Sequence, residues 1–139
     1  MTDASTDSAR SSLVVLVYSD DSSTREKVRL ALGKRPSSAL PPFEYVDVAT
    51  APVVIERLDA GGIDLAILDG EAVPAGGMGI AKQLKDEIEH CPPVLVLTGR
   101  AADAWLAEWS RAEASVPHPI DPIQLTRAVV DLLRQRTKS

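Results

Sequence analysis

Short apolar runs alternate with longer amphipathic stretches five times between Leu13 and the C-terminus, and this rhythm constrains the chain more than any other feature. Such a rhythm belongs to a βαβ series and excludes a helical bundle or a β-sandwich. The first run, LVVLVY (Leu13 to Tyr18), is apolar without alternation, as a strand covered on both faces of a parallel sheet requires. The second, FEYVDVA (Phe43 to Ala49), alternates and suits a place nearer the sheet edge. IDLAIL (Ile63 to Leu68) and VLVL (Val94 to Leu97) are again buried in character, and a short fifth run is Ser115 to Val116. The expected fold is α/β, a doubly wound five-stranded parallel sheet with helices on both faces.

The stretches between the runs place apolar residues three and four apart, which turns one stripe of each helix to the sheet. Val28 and Leu32 mark the first helix, and Val54 and Leu58 the second, with Pro52 in its first turn. Ile80, Leu84 and Ile88 mark the third, which must end before Cys91-Pro92-Pro93. Trp105 and Trp109 mark a fourth, with core packing the default for both rings and an interface role the alternative. The last helix has Asp121 as its cap and Pro122 at its first position, followed by Leu125, Val129 and Leu132. GKRPSSALPP (Gly33 to Pro42) reads as an exposed loop. The first twelve residues, polar and without an apolar stretch, read as a mobile tail, so the folded unit is expected over residues 13–136 with no further domain.

A chain of 139 residues is long enough for one well-buried domain and too short for two. A net charge of -5 argues against nucleic acid as the main partner, and the basic end, Arg134, Arg136 and Lys138, reads as a solvated helix terminus. The one cysteine, Cys91, excludes an internal disulfide or a thiolate zinc cluster, which fits a cytoplasmic setting. No apolar run is long enough to span a membrane.

In an open parallel sheet the site lies beyond the carboxyl ends of the strands. Those ends hold Ser19, Asp20 and Asp21 after the first strand, Asp69 after the third, Thr98 and Gly99 after the fourth, and Pro117, His118 and Pro119 after the fifth. Carboxylates brought together from adjacent strands repel unless a cation lies between them, which points to a hard ion such as Mg²⁺. Nucleotide binding of the Rossmann type is not supported. SDDSST has no glycine after the first strand, and GEAVPAGGMG matches neither GxGxxG nor a P-loop.

These strand ends resemble the receiver domain of response regulators, the doubly wound module of two-component signalling with strand order 2-1-3-4-5. VLVYSD resembles the family's first strand and acidic pair, DLAILD the strand ending in the phosphoacceptor, VLVLTG the strand ending in its hydroxyl residue, and HPIDP the Lys-Pro stretch before the last helix. The resemblance implies that Asp69 accepts a phosphoryl group as an exposed nucleophile, and that Asp20, Asp69 and the backbone carbonyl of Glu71 hold Mg²⁺. It further implies that Thr98 bonds the phosphoryl oxygens, that Gly99 leaves the donor room, and that His118-Pro119 is a cis peptide. The implied partners are a sensor histidine kinase or other phosphodonor and a downstream protein, with a homodimer left open; no enzyme activity is implied.

Three positions depart from the family pattern. Ser19 stands where the first acid is expected, with Asp21 or the Glu71 side chain as the candidate compensation. His118 replaces a lysine, and Ser115 replaces the aromatic residue that swings on activation. In the loop after Asp69, Pro74 falls one residue later than the family's proline. For Asp21 a helix cap is favoured over metal binding, and for His118 a structural hydrogen bond is weighed equally with phosphate contact. The leading expectation is a single-domain response regulator phosphorylated on Asp69. The alternative is a pseudo-receiver that binds partners without phosphorylation. A metal-dependent phosphohydrolase is disfavoured because no general base accompanies the carboxylates.

Overall fold

The computed structural model describes residues 11–72, 76–99 and 110–138. In chain order these form β1 (Leu13–Tyr18), α1 (Ser22–Leu32), β2 (Phe43–Val48), α2 (Ala51–Ala60), β3 (Leu65–Asp69), α3 (Gly77–Glu87), β4 (Val94–Thr98), β5 (Ala114–Pro117) and α4 (Pro122–Lys138). The five strands make one sheet in the order β2-β1-β3-β4-β5, and every pair is parallel. This is the expected architecture, with β2 at an edge. The helix expected around Trp105 and Trp109, and the loop position of Pro74, lie outside the described residues.

The unbroken apolar runs follow from the two faces. Val15 and Val17 of β1, Leu65 and Ile67 of β3, and Leu95 and Leu97 of β4 pack with Val28 and Leu32 of α1 and with Leu125, Val129 and Leu133 of α4. Their neighbours Leu16, Tyr18, Ala66, Leu68, Val94 and Val96 pack on the other side with Val54 and Leu58 of α2 and Ile80, Ala81 and Leu84 of α3. Successive side chains of a strand point to opposite faces, so a strand with helices above and below must be apolar at every position.

Helix starts are set by local chemistry. Asp21 caps α1 by accepting from Ser23 N at 2.9 Å, as favoured from sequence, and Asp121 Oδ1 accepts from Ile123 N at 2.9 Å at the start of α4. Pro52 lies in the first turn of α2.

Several expectations are corrected. Leu133 rather than Leu132 completes the buried row of α4, because residues 125, 129 and 133 pack into the core shared with the sheet and α1 while Leu132 is only partly covered. The strand expected from Ile63 begins at Leu65, since buried Asp64 pairs with Val14 through both its N–H and its Oδ2 and closes the bottom of the strand. Residues 33–42 are not simply an exposed loop. Leu40 is buried in the core, and Arg35 Nε donates to its carbonyl at 2.8 Å. Ser12, read as tail, already bonds the Glu44 carboxylate.

Candidate functional site

Strand register brings the site together. Tyr18 lies opposite Leu68, and Asp69 opposite Leu97, so the residues that follow β1, β3 and β4 emerge at one end of the sheet. Thr98 faces Pro117 across the last pair, and His118 N donates to Thr98 O at 2.7 Å, which fixes the start of the β5–α4 connection beside the same edge.

Asp69 is the centre of this edge. Ser19 Oγ donates to its Oδ2 at 2.8 Å, His118 Nε2 bonds its Oδ1 at 3.0 Å, and Glu71 N donates to the same Oδ1 at 2.9 Å. An ionised carboxylate only accepts, so the His118 ring presents Nε2–H to it. The Ser19 hydroxyl also accepts from Asp21 N at 3.1 Å, so it is held from both sides. Arg25 on α1 donates to the Ser19 carbonyl at 2.5 Å and faces Asp47 at 3.6 Å, bracing the corner from below.

This geometry corrects the expectation of an exposed nucleophile: the Asp69 side chain is only 5% exposed. The cause is the ring of His118, itself 25% exposed, over one oxygen and the Ser19 hydroxyl on the other. Buried polar groups need partners, and among the described residues this carboxylate has three. Thr98 is buried close by at the end of β4, and Ser115 is exposed on β5. The His118-Pro119 peptide is cis. His118 therefore bonds the candidate nucleophile rather than the loop beside Pro119.

A second correction concerns Gly99. The room expected there for a phosphodonor is taken by Glu71. A Cβ added to Gly99 would stand 2.5 Å from Glu71 Cδ and 2.8 Å from Oε1, so the carboxyl group lies across the glycine. Asp21 is occupied as the α1 cap, while Asp20 is exposed at the rim.

Sequence reasoning missed Tyr18, read only as the end of an apolar run. Burial raises its phenol pKa first, and the charges of Asp20 and Asp69 raise it further. Two carboxylates thus bear on one phenol. Its place immediately before Ser19 was the only available signal. Among the described residues no group of three His, Cys, Asp or Glu side chains is arranged to hold a metal, and no helix is long and apolar enough to cross a membrane.

No family model matches the chain. It is 68% identical over 122 residues, 88% of its own length and 92% of theirs, to uncharacterized response regulatory proteins of two Mycobacterium tuberculosis strains, H37Rv and CDC 1551. Its fold is similar to a CheY-like response regulator receiver domain protein from Methanospirillum hungatei, with TM-score 0.72 and 18% identity over 91% of this chain and 97% of that one. It is also similar to the response regulator TrrA of Thermotoga maritima, solved in complex with Mg²⁺-BeF, with TM-score 0.71 and 22% identity over 87% and 99%.

Proposed function

The chain belongs to the response-regulator family as a receiver domain of two-component signalling, and from that premise we propose that Asp69 is its phosphoacceptor and that it signals through protein contacts. One observation carries the reading. Asp69 is the carboxylate at the end of the middle strand on which side chains from β1 and β5 converge, through Ser19 and His118. A bond made or lost at Asp69 is therefore felt on two other strands at once.

The donor set fits Mg²⁺. That ion keeps most of its waters and needs only one or two carboxylates, and Asp20 and Asp69 stand at the same end of the neighbouring strands β1 and β3. With Ser19 in place of an acid, these two carboxylates and the Glu71 carbonyl would hold it. When bound it would neutralise charge on the transferring phosphoryl group. The protein's own residues do the positioning. Ser19 Oγ–H and Glu71 N–H fix the plane of the carboxylate, and Thr98, buried at the end of β4, supplies a hydroxyl for the phosphoryl oxygens. His118, hydrogen-bonded to Asp69 and held to Thr98 through its own N–H, links the acceptor to β5 and the start of α4. With Ser115 on β5 in place of an aromatic ring, that link is the route by which the acceptor reaches a partner surface. The donor is a sensor histidine kinase or another phosphoryl carrier, and the receiver of the signal is a protein.

A second reading, a pseudo-receiver that works without phosphorylation, is favoured by the three hydrogen bonds already on Asp69 and its slight exposure. Intact-mass measurement separates the two. After incubation with acetyl phosphate and Mg²⁺, the wild type gains one phosphoryl group and Asp69→Asn gains none; an unchanged wild-type mass supports the pseudo-receiver.

A further inference from the structure

We propose that Arg25 is a positioning residue for the acceptor site: by holding the Ser19–Asp20 peptide from α1, it aims the Ser19 hydroxyl at Asp69 and sets the Asp20 carboxylate for a divalent cation. The proposal deepens the phosphoacceptor reading and rests on the cation placement made there.

Ser19 is fully buried at the turn from β1 to α1, and each of its polar groups is engaged. Its N–H donates to Val48 O at 3.2 Å, at the end of β2. Its hydroxyl donates to Asp69 Oδ2 at 2.8 Å and accepts from Asp21 N at 3.1 Å, and its carbonyl accepts from Arg25 Nη1 at 2.5 Å. A peptide is planar, so the Ser19 carbonyl and the N–H and Cα of Asp20 lie in one plane. Fixing the oxygen of that plane fixes the direction in which Asp20 leaves it. One arginine thus bears on both sides of the site, on the hydroxyl that bonds the acceptor and on the acid assigned to the cation.

The guanidinium gives up a bond to stand there. Arg25 Nε is buried with no hydrogen-bond partner among the described residues, although Asp47 Oδ2 lies 3.6 Å away. That oxygen is already bonded by Arg29. An arginine placed by its ion pair would close on the carboxylate and donate Nε–H to it, as the fork of the group allows. Arg25 instead leaves a buried donor unmade and reaches the Ser19 carbonyl, so the carbonyl, not the acid, decides where the guanidinium stands. Groups that orient a metal-ligating residue from behind, without touching the metal, change its affinity by about 10- to 100-fold when removed.

The test compares wild type, Arg25→Met and Arg29→Met. Arg25→Met keeps an apolar stem and removes the donor, whereas Arg29→Met takes the other arginine from Asp47 and leaves the Ser19 carbonyl bonded. Mg²⁺ is titrated without a phosphodonor and followed by the Glu71 amide resonance; labelling by acetyl phosphate is then timed by intact mass at low and saturating Mg²⁺. Arg25→Met should weaken Mg²⁺ binding about tenfold, with most of the lost labelling rate recovered at saturating Mg²⁺, and Arg29→Met should bind as wild type does. A merely structural arginine would lower the urea midpoint and leave Mg²⁺ binding alone. Wild-type Mg²⁺ binding by Arg25→Met, or equal weakening in both variants, overturns the proposal. Should Arg25→Met fail to fold, Arg25→Gln, polar but too short to reach the carbonyl, is read by the same criteria. If Mg²⁺ binding depends on Arg25 but the wild type takes no phosphoryl group, the phosphoacceptor reading fails and the positioning role stands. If the wild type binds no Mg²⁺, the cation placement fails and the Asp69 carboxyl carbon resonance decides: a shift in Arg25→Met matching that in Ser19→Ala upholds the aiming of the hydroxyl, and an unmoved resonance overturns it.

Discussion

Ser19 Oγ donates a 2.8 Å hydrogen bond to Asp69 Oδ2 across fifty positions of sequence, and this bond replaces a repulsion with an attraction. In the family pattern position 19 would hold a second carboxylate beside Asp69. A hydroxyl there lets the acceptor be buried with its charge satisfied from within the chain. Ser19→Ala removes that donor and is expected to lower stability by about 2 kcal/mol, the range for hydrogen bonds to charged groups. Ser19→Asp places two carboxylates together and is expected to unfold at lower urea without divalent cation and to recover with Mg²⁺. Urea denaturation with and without Mg²⁺ checks both; a Ser19→Asp protein indifferent to Mg²⁺ would contradict the placement of the cation.

His118 couples the acceptor to β5. Replacing it by lysine supplies a fixed positive charge on a longer, flexible stem, without the planar ring that covers Oδ1. His118→Lys is expected to increase the fraction of chains labelled by acetyl phosphate, and His118→Ala to expose Asp69 and cost stability. Labelling extents by intact mass and urea midpoints together decide this. A lysine variant labelled less than wild type would mean that the imidazole has a role of its own.

On α4 the buried row is 125, 129, 133. Leu133→Ala is expected to cost about 2–5 kcal/mol, and Leu132→Ala clearly less, because only the first leaves an enclosed cavity. Thermal or urea unfolding of the two variants measures the difference, and equal losses would contradict the packing of this row into the core.

Burial holds the Tyr45 phenol up to about 12, despite the opposing pull of Arg29, and its hydroxyl donates to Gly33 O at 2.5 Å. A folded-state pKa above the unfolded value of 10 means that the unfolded chain loses its proton first as pH rises. The stability contributed by the neutral phenol is complete below pH 10 and is lost between 10 and about 12. Tyr45→Phe should therefore flatten the fall in urea midpoint over that window, and an unchanged slope would mean that the phenol is not protected.

The fold was legible because β1, and β3 and β4 up to their last residues Asp69 and Thr98, are apolar without alternation, a pattern that a sheet covered on both faces demands. The cap at Asp121 was legible because its chemistry is local. What was hidden depends on contacts distant in sequence. The exposure of Asp69 is decided by His118, 49 positions later, and no local pattern encodes that the ring turns inward. The choice of Leu133 over Leu132 depends on which face of α4 the sheet and α1 cover, because both residues satisfy helical spacing. Glu71 lies across Gly99 through a flexible side chain, and Tyr18 was concealed inside an apolar run.

The central claim is that Asp69 forms an acyl phosphate. Borohydride reduces an aspartyl phosphate to homoserine, so peptide sequencing by mass spectrometry after treatment with acetyl phosphate, Mg²⁺ and borohydride reads the modified position directly. Homoserine at position 69, absent when the donor is omitted, is the expected result. Homoserine at position 20 or 21 instead, or an unmodified Asp69 at full donor and cation, would contradict the account.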